Sequence, residues 1–201
     1  MNLPRQAIVT AALITLIQHA FLPTPPPGKT PAQETDEATI YRIVLEERLL
    51  SLSEAPSGTY FVVVSTTKAL RIDSPSNWTP FPSRTKPSIN APSTLEASLA
   101  RINTVSVPIP DLPRTISRLV PRHVINAIFA GKGSWPEFYR RFPKSGGLIE
   151  FSRPAFTDDR QKALLFVSDS CGGRCGTAWL MYLTRSGATW RISRKEMLWI
   201  S

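Results

Sequence analysis

The apolar positions change rhythm along the chain, helical in the first half and stranded in the second. Ile40, Ile43, Val44, Leu45 and Leu49 recur at helical spacing, with Glu46, Glu47 and Arg48 on the other side. This predicts a helix from Asp36 to near Ser53, ended by Pro56-Ser57-Gly58. Tyr60 to Ser65 (YFVVVS) is β-branched and aromatic, as a buried strand is. Ser93-Thr94-Leu95-Glu96 reads as a capping box opening a helix whose face carries Leu95, Leu99 and Ile102. Another short helix is predicted over Arg122 to Ala130, stopping at Gly131. Ser134-Trp135-Pro136-Glu137 is a second capping box, and the helix it opens ends before Pro143. Trp135, Phe138, Tyr139 and Phe142 share one side of that helix and are expected to plug one end of a sheet.

Strand patterns follow at Leu148–Phe151, Ala163–Ser170, Ala178–Thr184, Thr189–Ile192 and Met197–Ile200, separated by turn residues. Short strands in succession define the expected fold class as α+β: short N-terminal helices packed on a C-terminal antiparallel β-meander, in a single domain. That domain spans 36–201 and carries a Pro/Ser-rich loop at 72–92.

Ahead of the domain, residues 1–22 have the parts of an export signal: Arg5, then the uncharged run Ala7 to Ile17. As a helix that run is about 16 Å long, against about 30 Å of bilayer core, so a cleaved signal is preferred. Gln18 stands where cleavage wants a small residue, which leaves an uncleaved inner-membrane anchor as the alternative. Residues 23–35 (PTPPPGKTPAQET) form a Pro-rich linker. The expected address is periplasmic or secreted.

Charge adds a second asymmetry. The chain carries a formal +9, and residues 111–201 hold fifteen basic against seven acidic residues. Such a half either meets an anionic envelope polymer or lipid surface or is a solvated basic face. Arg140, Arg141 and Lys144 form a basic cluster on the side of that short helix opposite the aromatic set. Arg153, at a strand end in Ser152-Arg153, either binds an anion or pairs with Glu150, Asp158, Asp159 or Asp169. These four basic residues are the candidate anion site. No nucleic-acid motif is present, no cofactor motif is read, and the oligomeric state is not legible.

The two cysteines, Cys171 and Cys175, close the run Cys171-Gly172-Gly173-Arg174-Cys175. Behind an export signal an even count at this spacing reads as one disulfide at a hairpin tip. A redox pair would more usually keep two residues between its cysteines, and zinc would need ligands beyond His19 and His123.

The C-terminal half resembles a family of small, exported, uncharacterised bacterial proteins. The likeness rests on Trp135-Pro136-Glu137-Phe138-Tyr139, Phe142-Pro143-Lys144-Ser145-Gly146-Gly147 and Phe151-Ser152-Arg153. It continues in Ala163-Leu164-Leu165-Phe166-Val167, Cys171-Gly172-Gly173-Arg174-Cys175-Gly176 and the ending Met197-Leu198-Trp199-Ile200-Ser201. The resemblance implies export and a shared fold, and no activity. Pro154-Ala155-Phe156-Thr157 departs from the stretch that follows "S-R" in that family.

No nucleophile-base-acid set is evident. His123 is the one histidine outside the leader, Asp158-Asp159 fit a turn, and Ser145-Gly146-Gly147 reads as a turn rather than a phosphate loop. The expected function is a non-catalytic binding or structural role in the cell envelope. The alternative is a hydrolase or transferase acting on an anionic envelope component, with Arg153, His123 and Asp158-Asp159 as its site.

Overall fold

The structure is a computed structural model, and it describes residues 35–52, 56–70, 89, 91–130 and 134–201. The expected leader, all of the linker but Thr35, and the loop 72–92 apart from 89, 91 and 92 lie outside the described residues. Helix α1 (Asp36–Leu50) opens where Thr35 accepts a hydrogen bond from the Ala38 amide at 3.2 Å. Asp36 and Glu37 in its first turn and Arg48 in its last complement the helix dipole. The chain continues through β1 (Tyr60–Val64), α2 (Ser93–Ile102), β2 (Ser117–Val120), α3 (Arg122–Phe129) and α4 (Trp135–Arg141). It ends in β3 (Ser145–Phe151), β4 (Ala155–Phe156), β5 (Lys162–Gly172), β6 (Cys175–Ser186) and β7 (Thr189–Ile200).

The strands form one sheet in the order β2-β1-β3-β5-β6-β7, with β4 pairing β5. Strands β5, β6 and β7 are the antiparallel meander the sequence indicates. The other half differs from the expectation: β1 pairs parallel with both β2 and β3. Strand β2 has only four residues (SRLV), too few for a period, and its partner is remote in sequence. Helices α3 and α4 then carry the chain from β2 back to β3, as a parallel crossover requires.

The helices cover both faces. Helix α1 lays Ile40, Tyr41, Val44 and Leu45 on Phe61, Val63, Ile149, Phe151, Leu165, Met181 and Leu183. Helix α2 covers the opposite face over Leu164, Phe166 and Leu180, and α3 with α4 covers Tyr60, Val62 and Val64 beside it. Alternate residues of β1 and β5 therefore enter different cores, which is why both strands read as unbroken apolar runs. The Trp135, Phe138, Tyr139, Phe142 set covers this face over β1 rather than plugging the sheet's end.

Four local expectations are corrected. Pro92, not Ser93, holds the cap position of α2, with its carbonyl accepting from Leu95 at 2.8 Å, so no capping box forms there. Ser134 does hold the cap position of α4 but makes no side-chain cap bond, and Glu137 turns to Arg140 instead. Ser145-Gly146-Gly147 opens β3 rather than forming a turn. The two predicted final strands are one, β7, in which Ser193 and Leu198 bulge out of the pairing with β6. Those bulges, with exposed Arg191, Arg194 and Lys195, guard a twelve-residue edge against pairing with another chain.

Candidate functional site

The residues of interest gather where β5 turns into β6. Cys171 and Cys175 are disulfide-bonded there, with Cα atoms 5.1 Å apart, as the hairpin geometry predicts. Gly172 pairs Cys175 across the hairpin, and Ser170 pairs Gly176. Helix α4 is tied to this tip, because the Tyr139 hydroxyl donates to the Cys171 carbonyl at 2.9 Å. Burial pushes the Tyr139 hydroxyl above its ordinary pKa, so it stays a donor at neutral pH. The start of β3 meets the same tip. Gly147 has φ +133°, and a Cβ there would stand 2.5 Å from the Ser170 carbonyl oxygen, so only glycine fits. Ser145 bridges that irregularity by accepting from the Gly147 amide at 3.1 Å and donating to its carbonyl at 3.0 Å. At the end of β7, the Trp199 ring lies over Gly176, and the Ser201 amide donates to the Gly176 carbonyl at 2.9 Å.

Lys144 and Arg141 stand at this end of the sheet, exposed and without an ion-pair partner among the described residues. Arg174 joins them from the hairpin tip, exposed and equally unpaired among those residues. Arg140 does not belong to this group: its guanidinium forks onto the Glu137 carboxylate at 2.9 and 2.7 Å. Lys144 is also one of two non-glycine residues with positive φ among the described residues, at +66°. Sequence reasoning passed over Arg174 because it reads as part of a glycine-rich turn. The signal that could have found it is its place between two bonded cysteines, which hold it out from the sheet.

Arg153 lies at the opposite end, after β3, and its partner is none of the four acids anticipated: its Nε donates to Glu37 on α1 at 3.0 Å. The Ser152-Arg153 pair breaks the strand between β3 and β4. Ser152 is fully buried, and its hydroxyl accepts from the Phe166 amide at 3.0 Å in place of a carbonyl. Tyr41 donates to the Ser152 carbonyl at 3.1 Å from one face. Asn103, fully buried behind α2, accepts from the Arg153 amide at 2.6 Å and donates to its carbonyl at 2.9 Å from the other. The motif is thus a clamp between the two helical layers.

Nearby, Asp36 gathers Trp190, Arg160 and Arg185. Burial raises the Asp36 carboxyl, but the Trp190 Nε1–H and the two guanidinium groups outweigh it and hold the group below its ordinary value. Asp159 accepts from Thr157 at 2.6 Å and from the Gln161 amide at 3.0 Å, which makes it a turn former. His123 is exposed on α3. Among the described residues no hydrogen bond or ion pair joins Arg153, His123 and Asp158-Asp159 to one another.

A polar cluster the sequence did not reveal sits where the parallel strands end. Glu150 on β3 takes Arg122 at 2.7 Å and Lys68 at 3.2 Å. Burial pushes the Glu150 carboxyl up, and the two cations together pull it below its usual range. The two partners lie 28 and 82 positions from Glu150, so no local motif marks them. Among the described residues no group of three or more histidine, cysteine or acidic side chains is placed to hold a metal. No helix among them is long and apolar enough to cross a membrane. Comparison with protein-family models, with curated proteins and with solved structures finds no match.

Proposed function

We propose that this is an exported, non-catalytic binding protein that engages an anionic component of the cell envelope through the hairpin-tip end of its sheet. The observation that carries the reading is the distribution of ion pairs. Asp36, Glu37, Glu46, Glu47, Glu137, Glu150 and Asp169 are each spent on an internal cation. Arg141, Lys144 and Arg174 keep their charge for solvent, and they project from one end that a disulfide and the Tyr139 bond hold in shape. A fixed group of unneutralised cations concentrates potential where a flexible anion can lie across it. The disulfide and the family resemblance support export, since such bonds persist in oxidising compartments.

Fractionation of cells producing the full chain tests this. The wild-type chain is expected outside the cytoplasm, held on the envelope at low salt and released by high salt. Arg141→Ala/Lys144→Ala/Arg174→Ala is expected to leave it exported but freely released. A chain confined to the cytoplasm, or one whose envelope retention ignores the triple change, contradicts the proposal.

A further inference from the structure

A fourth cation stands at the hairpin-tip end, on the β2 edge of the sheet. Arg118 is exposed and has no ion-pair partner among the described residues. Its guanidinium lies over the Tyr60 ring, 4.3 Å from the centroid. Tyr60 opens β1 and is buried in the core that holds Phe138 and Phe142. The ring is therefore a fixed platform, and its negative face holds the cation above it. The registers set the depth. Tyr60 pairs Ser145, the residue after Lys144, so the Arg118 guanidinium and the start of β3 are about level. Leu148 pairs Ser170, which brings Ser145, three residues back, about level with Gly173, beside Arg174 at the hairpin turn. Arg118, Lys144 and Arg174 thus follow one another across the end of the sheet in strand order, from β2 to β3 to the turn between β5 and β6. Neighbouring strands lie about 4.8 Å apart, so β2 and β3, with β1 between them, are separated by about 10 Å, and the middle of the hairpin lies about 7 Å farther on. The cations form a row rather than a ring round one point.

We propose that the anionic partner is a linear phosphate polymer lying across these strand ends, and that Arg118, held on Tyr60, is a further binding residue that takes one of its phosphates. This rests on the anionic-partner reading above and adds the chemistry and shape of the partner. A lone phosphate satisfies one cation of the row and leaves the others in solvent. A chain with a phosphate at each step satisfies them in succession, and every contact after the first is intramolecular. The planar guanidinium suits phosphate because it can take two oxygens at once. Its stacking on Tyr60 leaves it less freedom to lose when it does so.

Calorimetric titration of the full chain with inorganic phosphate, triphosphate and long-chain polyphosphate tests this, compared at equal phosphorus. The long chain is expected to bind on the order of a hundredfold more tightly than triphosphate. Arg118→Ala is expected to weaken long-chain binding roughly tenfold, the weight of one hydrogen bond to a charged group, and to make the slope of log K against log salt shallower by about one unit, while moving triphosphate binding little. Tyr60→Phe keeps the platform and is expected to bind as the wild type does. Tyr60→Leu, checked for folding by circular dichroism, keeps the charge but loses the ring, and is expected to weaken long-chain binding about threefold. Long-chain affinity and salt slope unmoved by Arg118→Ala overturn the proposal and leave the anionic-partner reading standing. Triphosphate binding as tightly as the long chain overturns the row in favour of a single anion pocket. Binding to anionic vesicles that polyphosphate does not displace assigns the surface to a lipid, and overturns the proposal too. Failure of every phosphate to bind overturns the phosphate chain alone if salt-sensitive retention on the envelope persists, and overturns both readings if it does not.

Discussion

Replacing Asn103 with alanine should be the most damaging single change at the Ser152-Arg153 clamp. Its amide makes three bonds: a donation to the Leu99 carbonyl at 2.8 Å, a donation to the Arg153 carbonyl at 2.9 Å, and acceptance from the Arg153 amide at 2.6 Å. The side chain has no exposure. Removing it leaves the backbone N–H of Arg153 without a protein partner under α2, while the Arg153 carbonyl keeps the Ser152 hydroxyl as a donor at 3.2 Å. Stranding a buried donor costs about 1–3 kcal/mol, partly relieved by water entering the space. A loss of about 2 kcal/mol is expected. For a domain of this size, that is about 4–8 °C in Tm. Thr104→Ala, one residue on and exposed, is the control and should move Tm little. Denaturant and thermal unfolding followed by circular dichroism measure both. A loss under about 1 kcal/mol for Asn103→Ala would refute the view that this amide joins α2 to the broken strand.

The acid limb of stability should carry the signature of Glu150 and Asp36, whose native pKa values lie below their ordinary 4.5 and 3.8. Their stabilisation is full above those values and is lost as pH falls through the lowered native ones, so Glu150→Gln should flatten the decline below about pH 4.5 in a pH series of unfolding curves. Gly147→Ala, which sets a Cβ 2.5 Å from a backbone oxygen, should cost more than about 3 kcal/mol or prevent folding, whereas Gly187→Ala, with φ +59° and open space, should cost about 1 kcal/mol. The Cys171→Ser/Cys175→Ser variant should still fold, with stability lower by about 2 kcal/mol by the loop formula, and thiol titration of the exported chain should find no free cysteine before reduction. Lys144→Gly should stabilise the fold by roughly 1 kcal/mol by relieving positive φ, yet weaken polyanion binding; a variant that gains stability without losing affinity would remove Lys144 from the site.

The sequence exposed those parts of the molecule whose causes are local. The period of α1, the β-branched run of β1 and the strand patterns and turns of β5 to β7 each sit within about a dozen residues, and all of these elements are present. The disulfide was legible because Cys171 and Cys175 are four apart on a glycine-rich reversal. Parallel β2 was not, since its four residues acquire meaning only against Phe61 to Val64. The candidate site divided in the same way. Arg141 and Lys144 were visible as a basic cluster, and neither is drawn into an ion pair among the described residues. Arg140 was claimed by Glu137 three residues away, and Arg153 by Glu37 at a separation of 116. A pairing at that distance depends on how α1 crosses the sheet, which no spacing encodes. Asn103 and the Lys68, Glu150, Arg122 cluster were silent for the same reason: each joins segments that only the fold brings together.

The central claim is that three cations at one end of the sheet, rather than the overall charge, make the anion-binding surface. The salt dependence of affinity for a purified polyanion tests it most directly, measured side by side for the wild-type chain and two variants of equal charge. One variant carries alanine at Arg141, Lys144 and Arg174, and the other at Arg101, Lys162 and Arg191, which are also exposed. Each cation that meets the anion releases counterions, so the slope of log K against log salt should fall by about one unit for every such cation replaced. The account predicts a slope shallower by about three and a large loss of affinity for the first variant, with the second close to wild type. Equal losses in the two variants would contradict it, and would mark the charge as diffuse.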